Sequence, residues 1–294
     1  MTLRDLAQLA RAAALAWRDD YAPSMGAALA YYALFSLSPL LLIALAVAGL
    51  LFPAQVENGV IASGLIGLTG AAGAQALQSL LEAAREPASS ALAASAGAVL
   101  LLFGAMTVYT EVQSALDRIW RVPEAPGRRG AWHLLRARLG AFAMICATGG
   151  LLFAWLIGGT LLAAHAEAHG VPALVQHGVE MGLGFMVVWL LFALLYKIVP
   201  RVRIAWRDVL VGALATALLF SLGKFLIAWY IGHSGVTSAF GAAGSLAALM
   251  LWLYYSAQIF LLGAEFTWVY AHRFGSRRAI AAGGPTAAAT PAAP

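Results

Sequence analysis

Three ionisable side chains stand in or against long apolar runs of this sequence: Glu111, Lys224 and Glu265. Charges in hydrocarbon are costly, so such residues face one another, a protein interior or water, and mark candidate paths for polar cargo. Glu265 closes a stretch, Phe240 to Ala264, whose only ionisable side chains are Tyr254 and Tyr255. Two readings of it stand: an acid solvated at the membrane interface, or one that receives a charge from a neighbouring helix. Glu111 lies about seven residues before Arg118, which ends its apolar run. Lys224 lies about seven residues from the opposite end of another run. At about 1.5 Å per residue their depths differ by about 20 Å, so no direct salt bridge is expected. Lys224 can snorkel outward, and Glu111 is within reach of Arg118, Arg136 or Arg138. These residues are expected to line a polar path, with Glu111 and Glu265 at its inner mouth and Lys224 at its outer one. A cation outside and arginines inside would suit an anionic substrate such as a phospholipid headgroup. Structural ion pairing plus snorkelling is the competing reading.

Little else in the chain could do chemistry. His165, His169 and His177 share one loop with Glu167 and Glu180, and His165 and His169 are spaced for one helical face. That is the weakest form of a zinc hint, and a pH response is supported no better. Cys146 is the one cysteine and sits in an apolar run, which excludes an intramolecular disulfide and a thiol metal site. Asp117, Arg118 and Trp120 read as an anchor at the membrane edge. No GxxxxGK[ST] loop occurs, and no Gly-Tyr-Gly filter run. No metal, cofactor or enzymatic activity is expected.

The elements that must position these residues follow from composition. The 294 residues are 62% hydrophobic and 11% charged, against about a quarter charged in soluble domains. No soluble fold of this length could hide that much apolar surface. The expected fold is an all-α polytopic membrane protein with six transmembrane helices, over about 24–52, 90–118, 134–164, 179–199, 209–231 and 240–270. An interfacial helix within residues 1–23 precedes them. Arg4, Arg11 and Arg18 recur every seven residues along one face, beside an apolar face of Leu6, Ala10, Ala13 and Trp17. Asp19, Asp20 and Pro23 end that helix. Its charges leave no uncharged run for a signal peptide. Pro39 is expected to kink the first span, with Ser36 and Ser38 placed to satisfy the freed carbonyls. Residues 53–89 read as two short amphipathic helices on the outer face, and the Ala/Pro tail 279–294 as disordered.

Charge placement tests this parse. With six spans, 16 of the 18 Lys and Arg residues fall on one side, leaving Arg85 opposite and Lys224 within a span. The positive-inside rule then places both termini in the cytoplasm. It also accounts for the net charge of +5 without nucleic acid. Small residues three and four apart (Gly241, Gly244, Ser245 and Ala248, and the pair Gly178 and Gly182) offer close helix packing. They permit a homo-oligomer without requiring one.

Four segments carry a resemblance: AYYALFSLSPLL at 30–41, ALDRIWRVPE at 115–124, the Trp206 turn leading to Gly212-Ala213, and LWLYYSAQIFLLGAEF at 251–266. In order and spacing they resemble the YihY/virulence factor BrkB family of bacterial inner-membrane proteins, once labelled ribonuclease BN. One departure is Phe240-Gly241, where the family usually has Tyr-Gly. The resemblance implies six helices, cytoplasmic termini, a role in envelope integrity and resistance, and a suggested transport of lipid or solute. The leading expectation is therefore a transporter or lipid-handling protein, with membrane lipids, anionic phospholipid among them, as partners. The alternative is a non-transporting envelope scaffold that binds an envelope protein. A ribonuclease would need clustered carboxylates and histidines around metal ions, whereas the charged loops hold only scattered Asp117, Glu124, His133 and Asp208.

Overall fold

The structure, a computed structural model, describes residues 3–35, 107–123, 172–233 and 244–278, with scattered positions between 139 and 169. Every regular element among the described residues is helical. Pro39, Arg136, Arg138, Cys146, the 53–89 loop and the 279–294 tail lie outside the described residues. The helices are α1 (Leu3–Asp19), α2 (22–35), α3 (107–119), α4 (Ala173–Ile198), α5 (Trp206–His233) and α6 (Gly244–Arg273). In α4, α5 and α6, apolar stretches of 25, 28 and 28 residues are each long enough to cross a hydrocarbon core of about 30 Å.

With lipid on the outside, apolarity cannot drive these helices together, so close approach and polar pairing must. The pairing of α5 with α6 shows both. Each helix carries a Gly-x-x-x-Thr: Gly212 with Thr216, and Gly263 with Thr267. The helices run antiparallel, so Gly212 meets the Thr267 side chain and Gly263 meets that of Thr216. Each threonine hydroxyl donates back to its own glycine's carbonyl, at 2.8 Å for Thr216 and 2.7 Å for Thr267. Further along, Gly223 faces Tyr255 and Ile259, and Ile227 and Ile231 pack with Ala248.

On one flank α4 locks onto this pair. The Trp189 indole donates to the Leu210 carbonyl at 3.0 Å. Buried Tyr196 donates its hydroxyl to the Phe260 carbonyl at 2.7 Å and lies 3.1 Å from Thr216 Oγ1. On the other flank of α6 lie α1 and α2. Leu9 and Ala13 of α1 are buried against Val269, with Leu262 and Phe266 alongside. Ala30 of α2 packs on Leu249 and Leu253, and Gly26 sits against Gln258. Of the apolar face read from the sequence, Ala13 is thus turned to α6, while Leu6 stays half exposed and Ala10 exposed.

The turns at one end of the bundle are tied together. Asp117 of α3 accepts the Arg201 backbone N–H at 2.9 Å and pairs with its guanidinium at 3.2 Å. Gln113 donates to the Val199 carbonyl at 3.0 Å. Buried Asp208, at the start of α5, accepts from the Ser276 hydroxyl at 2.6 Å and its N–H at 3.0 Å. Arg277 donates to the Arg203 carbonyl at 3.1 Å. Asp117 is therefore a tie between helices, which exceeds the membrane-edge anchor read from the sequence.

Candidate functional site

At that end, two non-glycine residues hold the left-handed conformation that glycine usually supplies: Tyr21 (φ 58°) and Arg121 (φ 52°). Tyr21 turns the chain from α1 into α2, and Arg121 follows the end of α3. Both turns are held from the side by stacking. The Arg118 guanidinium lies over the Tyr21 ring at 5.7 Å, and that of Arg121 over the Trp268 ring at 4.4 Å. Trp268 also lies 4.4 Å from the His272 ring, whose Nδ1 is 2.8 Å from the Trp268 carbonyl oxygen. Arg277 covers Trp120 at 5.2 Å. These contacts bring the α1–α2 turn, the end of α3 and the last turns of α6 to one place.

Glu265 sits under that junction. It is 0% exposed, and neither carboxylate oxygen has a hydrogen-bond partner among the described residues. Among the described residues, the charged groups that act on it are Asp20 from the α1–α2 turn and Arg121 from the end of α3. Asp20 is only half buried, and Arg121 is exposed. Two more buried polar atoms lack partners among the described residues: Gln258 Oε1 on α6 and Trp17 Nε1 near the end of α1. Gln258 lies two turns before Glu265 on the same helix face, and its amide donates to the Pro23 carbonyl at 3.3 Å. Gln258 thus meets the turn into α2 at Pro23 and Gly26, two helical turns from Glu265. Most buried polar atoms in proteins are paired, so orphans such as those of Glu265 and Gln258 are where a ligand, ion or water is expected. Between α1 and α6, a groove of about 290 Å³ is lined by Ala12, Ala16, Trp268, Val269, His272 and Arg273.

The structure places the sequence-derived candidates as follows. Glu265 is enclosed by protein. Arg118 is exposed and covers Tyr21. Glu111 is half buried two turns before Arg118 and makes no ion pair with a described residue. Lys224 is half buried on α5, with its ammonium 5.6 Å from the Phe225 ring centre. Because Gly223 faces Tyr255 and Ile259, Lys224 stands about 10–15 Å along α6 from Glu265. His165 and His169 stack at 4.0 Å, and His169 Nδ1 lies 3.0 Å from the His165 carbonyl oxygen. Among the described residues no three His, Cys, Asp or Glu side chains gather as metal ligands would.

Residues 13–285, nearly the whole chain, match the family described as virulence factor BrkB. The chain belongs to that family. Its relatives include the UPF0761 membrane proteins of Yersinia pestis (strain Pestoides F), 34% identical over 174 residues, and of Glaesserella parasuis serovar 5 (strain SH0165), 27% identical over 174 residues. Those alignments cover 57% and 56% of this chain, and 55% and 57% of the relatives, so the chain spans about half the length of the curated relatives it matches. No solved structure matches. This BrkB-family chain is thus a helical membrane protein.

Proposed function

We propose that this BrkB-family chain is a multi-pass transporter or lipid-handling protein of the bacterial inner membrane, acting on an anionic lipid or small anionic solute. In this reading six helices span the bilayer, both termini are cytoplasmic, and the tied end of the bundle faces the cytoplasm. The carrying observation is Glu265, wholly buried in a membrane-length helix with both oxygens unpartnered among the described residues. A side chain kept at that energetic cost is better explained by something it handles than by packing, for which leucine would serve. The cations Arg118, Arg121, Arg273 and Arg277 ring the same end and would meet an anion there. Lys224 would meet it further along the bundle. Arg136 and Arg138 belong to the same inner mouth in this reading.

The envelope-scaffold reading draws on a different observation. The contact of α5 with α6 is closed at Gly212, Gly263 and the two threonines. One experiment separates the two. The full chain, reconstituted in anionic proteoliposomes, is assayed for movement of labelled phospholipid and of small anions. The transporter reading expects flux that falls at least about tenfold, the scale of losing one buried charged contact, in Glu265→Gln and in Glu111→Gln/Lys224→Met. Well-folded wild-type protein that moves neither cargo sinks it and leaves the scaffold.

A further inference from the structure

The groove between α1 and α6 joins an apolar surface to a cationic one. Ala12 and Ala16 line it from α1 and Val269 from α6, while Trp268, His272 and Arg273 complete it. Arg273, the last residue of α6, is exposed. The volume of about 290 Å³ is that of about ten waters in the liquid, room for a phosphodiester and the glycerol behind it. Its aromatic wall is part of a longer stack. Arg121 lies over Trp268 at 4.4 Å, Trp268 lies 4.4 Å from the His272 ring, and His272 lies 6.4 Å from that of Trp120. A guanidinium held by its face keeps its N–H edge available to an anion. Neither Arg121 nor Arg273 makes an ion pair among the described residues. We infer that this groove binds one anionic phospholipid of the surrounding leaflet, its phosphate on Arg273 and its glycerol and first chain carbons on Ala12, Ala16 and Val269.

Charge and apolarity together select that occupant. A free phosphate would satisfy the arginine but leave the alanine and valine surfaces wet. A zwitterionic lipid would cover those surfaces but bring its own cation toward Arg273. Phe266 and Leu262, both partly buried, continue the Val269 surface one and two turns back along α6, where acyl chains can run. On α1, Leu15 is three residues on from Ala12 and half exposed, so it extends the apolar edge. Arg4, Arg11 and Arg18 of the same helix are exposed. Two acids stand close by in sequence. Asp19 lies 3.9 Å from the Arg18 guanidinium, and Glu265, one turn back from Val269, is fully buried and does not line the groove. The chain's own tail has no charge to compete with a lipid, because residues 279–294 contain no Asp or Glu.

The inference rests on the membrane reading of α6 and not on transport, since a resident lipid needs no path. It is tested on the full chain in detergent by thermal unfolding. Phosphatidylglycerol is expected to raise the unfolding temperature more than phosphatidylcholine at equal concentration, as a ligand of the folded state must. Arg273→Gln should raise the phosphatidylglycerol concentration needed for half that shift at least about tenfold, the scale of one charged contact. Ala16→Leu, which fills the groove, should abolish the difference between the lipids. Arg273 is exposed, so its variant decides the matter if Ala16→Leu does not fold. Tryptophan fluorescence reads the place. Quenching by chain-brominated phosphatidylglycerol should exceed that by brominated phosphatidylcholine, and the excess should vanish in Trp268→Phe but persist in Trp229→Phe, on the exposed face of α5. Equal shifts with the two lipids, equal protection by inorganic phosphate, or an excess that survives Trp268→Phe would each overturn the site. Lipid binding without flux keeps the site and removes transport, while Glu265-dependent flux with no preference for phosphatidylglycerol does the reverse.

Discussion

Gly212 of α5 rests directly on the hydroxyl of Thr267 on α6, and the reciprocal pair Gly263 and Thr216 repeats the contact one turn away. A Cβ at either glycine would overlap a β-branched side chain that is also bonded to its own helix, at Gly263 O and Gly212 O. A β-branched residue in a helix has little rotamer freedom with which to retreat. Gly212→Ala is therefore expected to lower stability by about 1–3 kcal/mol through overpacking. Thermal unfolding in detergent measures it. Thr267→Ala in the same chain should recover part of the loss, and no recovery would show that this contact does not set the spacing of the helices.

Tyr196 is the polar link across three helices. Its hydroxyl reaches the Phe260 carbonyl of α6 and Thr216 of α5 from α4. Tyr196→Phe keeps the ring contacts with Phe192 and Phe260 and removes only the hydroxyl. The carbonyl keeps its helical partner, so the expected loss is about 0.5–1.5 kcal/mol. The same substitution combined with Thr216→Val should cost less than the two single changes added together, because both remove one shared network. Strict additivity in unfolding midpoints would mean that the two hydroxyls act separately.

The tie between α3 and the turn after α4 predicts an asymmetry. The Asp117 carboxylate, 13% exposed, serves both the backbone N–H and the guanidinium of Arg201, which is 50% exposed. Removing the acid strands a backbone donor as well as a charge, so Asp117→Ala is expected to cost about 1–3 kcal/mol. Arg201→Ala leaves the backbone bond in place and removes a solvent-screened pair, a loss of about 0–1 kcal/mol. Asp117→Asn, which keeps an acceptor for the N–H, should fall between them. Equal losses in unfolding experiments would contradict the double role assigned to Asp117.

What the sequence reveals here, and what it conceals, follows from the forces involved. The apolar run around Val209–Ile231 announces α5 because lipid demands apolar residues on every face. Glu265 stands out for the same reason, as a charge in a run that has no other. Its partners do not. Asp20 reads as a helix stop, and it is one, since α1 ends beside it; its action on Glu265 exists only because the α1–α2 turn folds back on α6. Arg121 is one of many arginines, and nothing local says that its backbone adopts a positive φ. Gln258 escapes a search for ionisable residues because it is neutral, although an amide in an apolar helix is the same kind of signal. The Gly-x-x-x-Thr pairs are visible as spacing, but which glycine meets which threonine depends on the antiparallel register. For α1, helical spacing allows several apolar faces, and it is the surface of Val269 and Leu262 that selects Leu9 and Ala13.

The tied end of the bundle also makes the direction of insertion testable. Segments around Arg18, Arg118, Arg201 and Arg277 converge there, and basic residues resist translocation. That end is therefore expected in the cytoplasm, with the start of α4 at the outer surface. In a Cys146→Ser background, Arg278→Cys should ignore a membrane-impermeant maleimide on intact cells and react once the cells are opened. His177→Cys, exposed near the start of α4, should react on intact cells. The reverse pattern would turn the protein over in the membrane. Labelling of both positions from one side would instead overturn the three crossings, α4, α5 and α6, that separate them, and the six-span count with it.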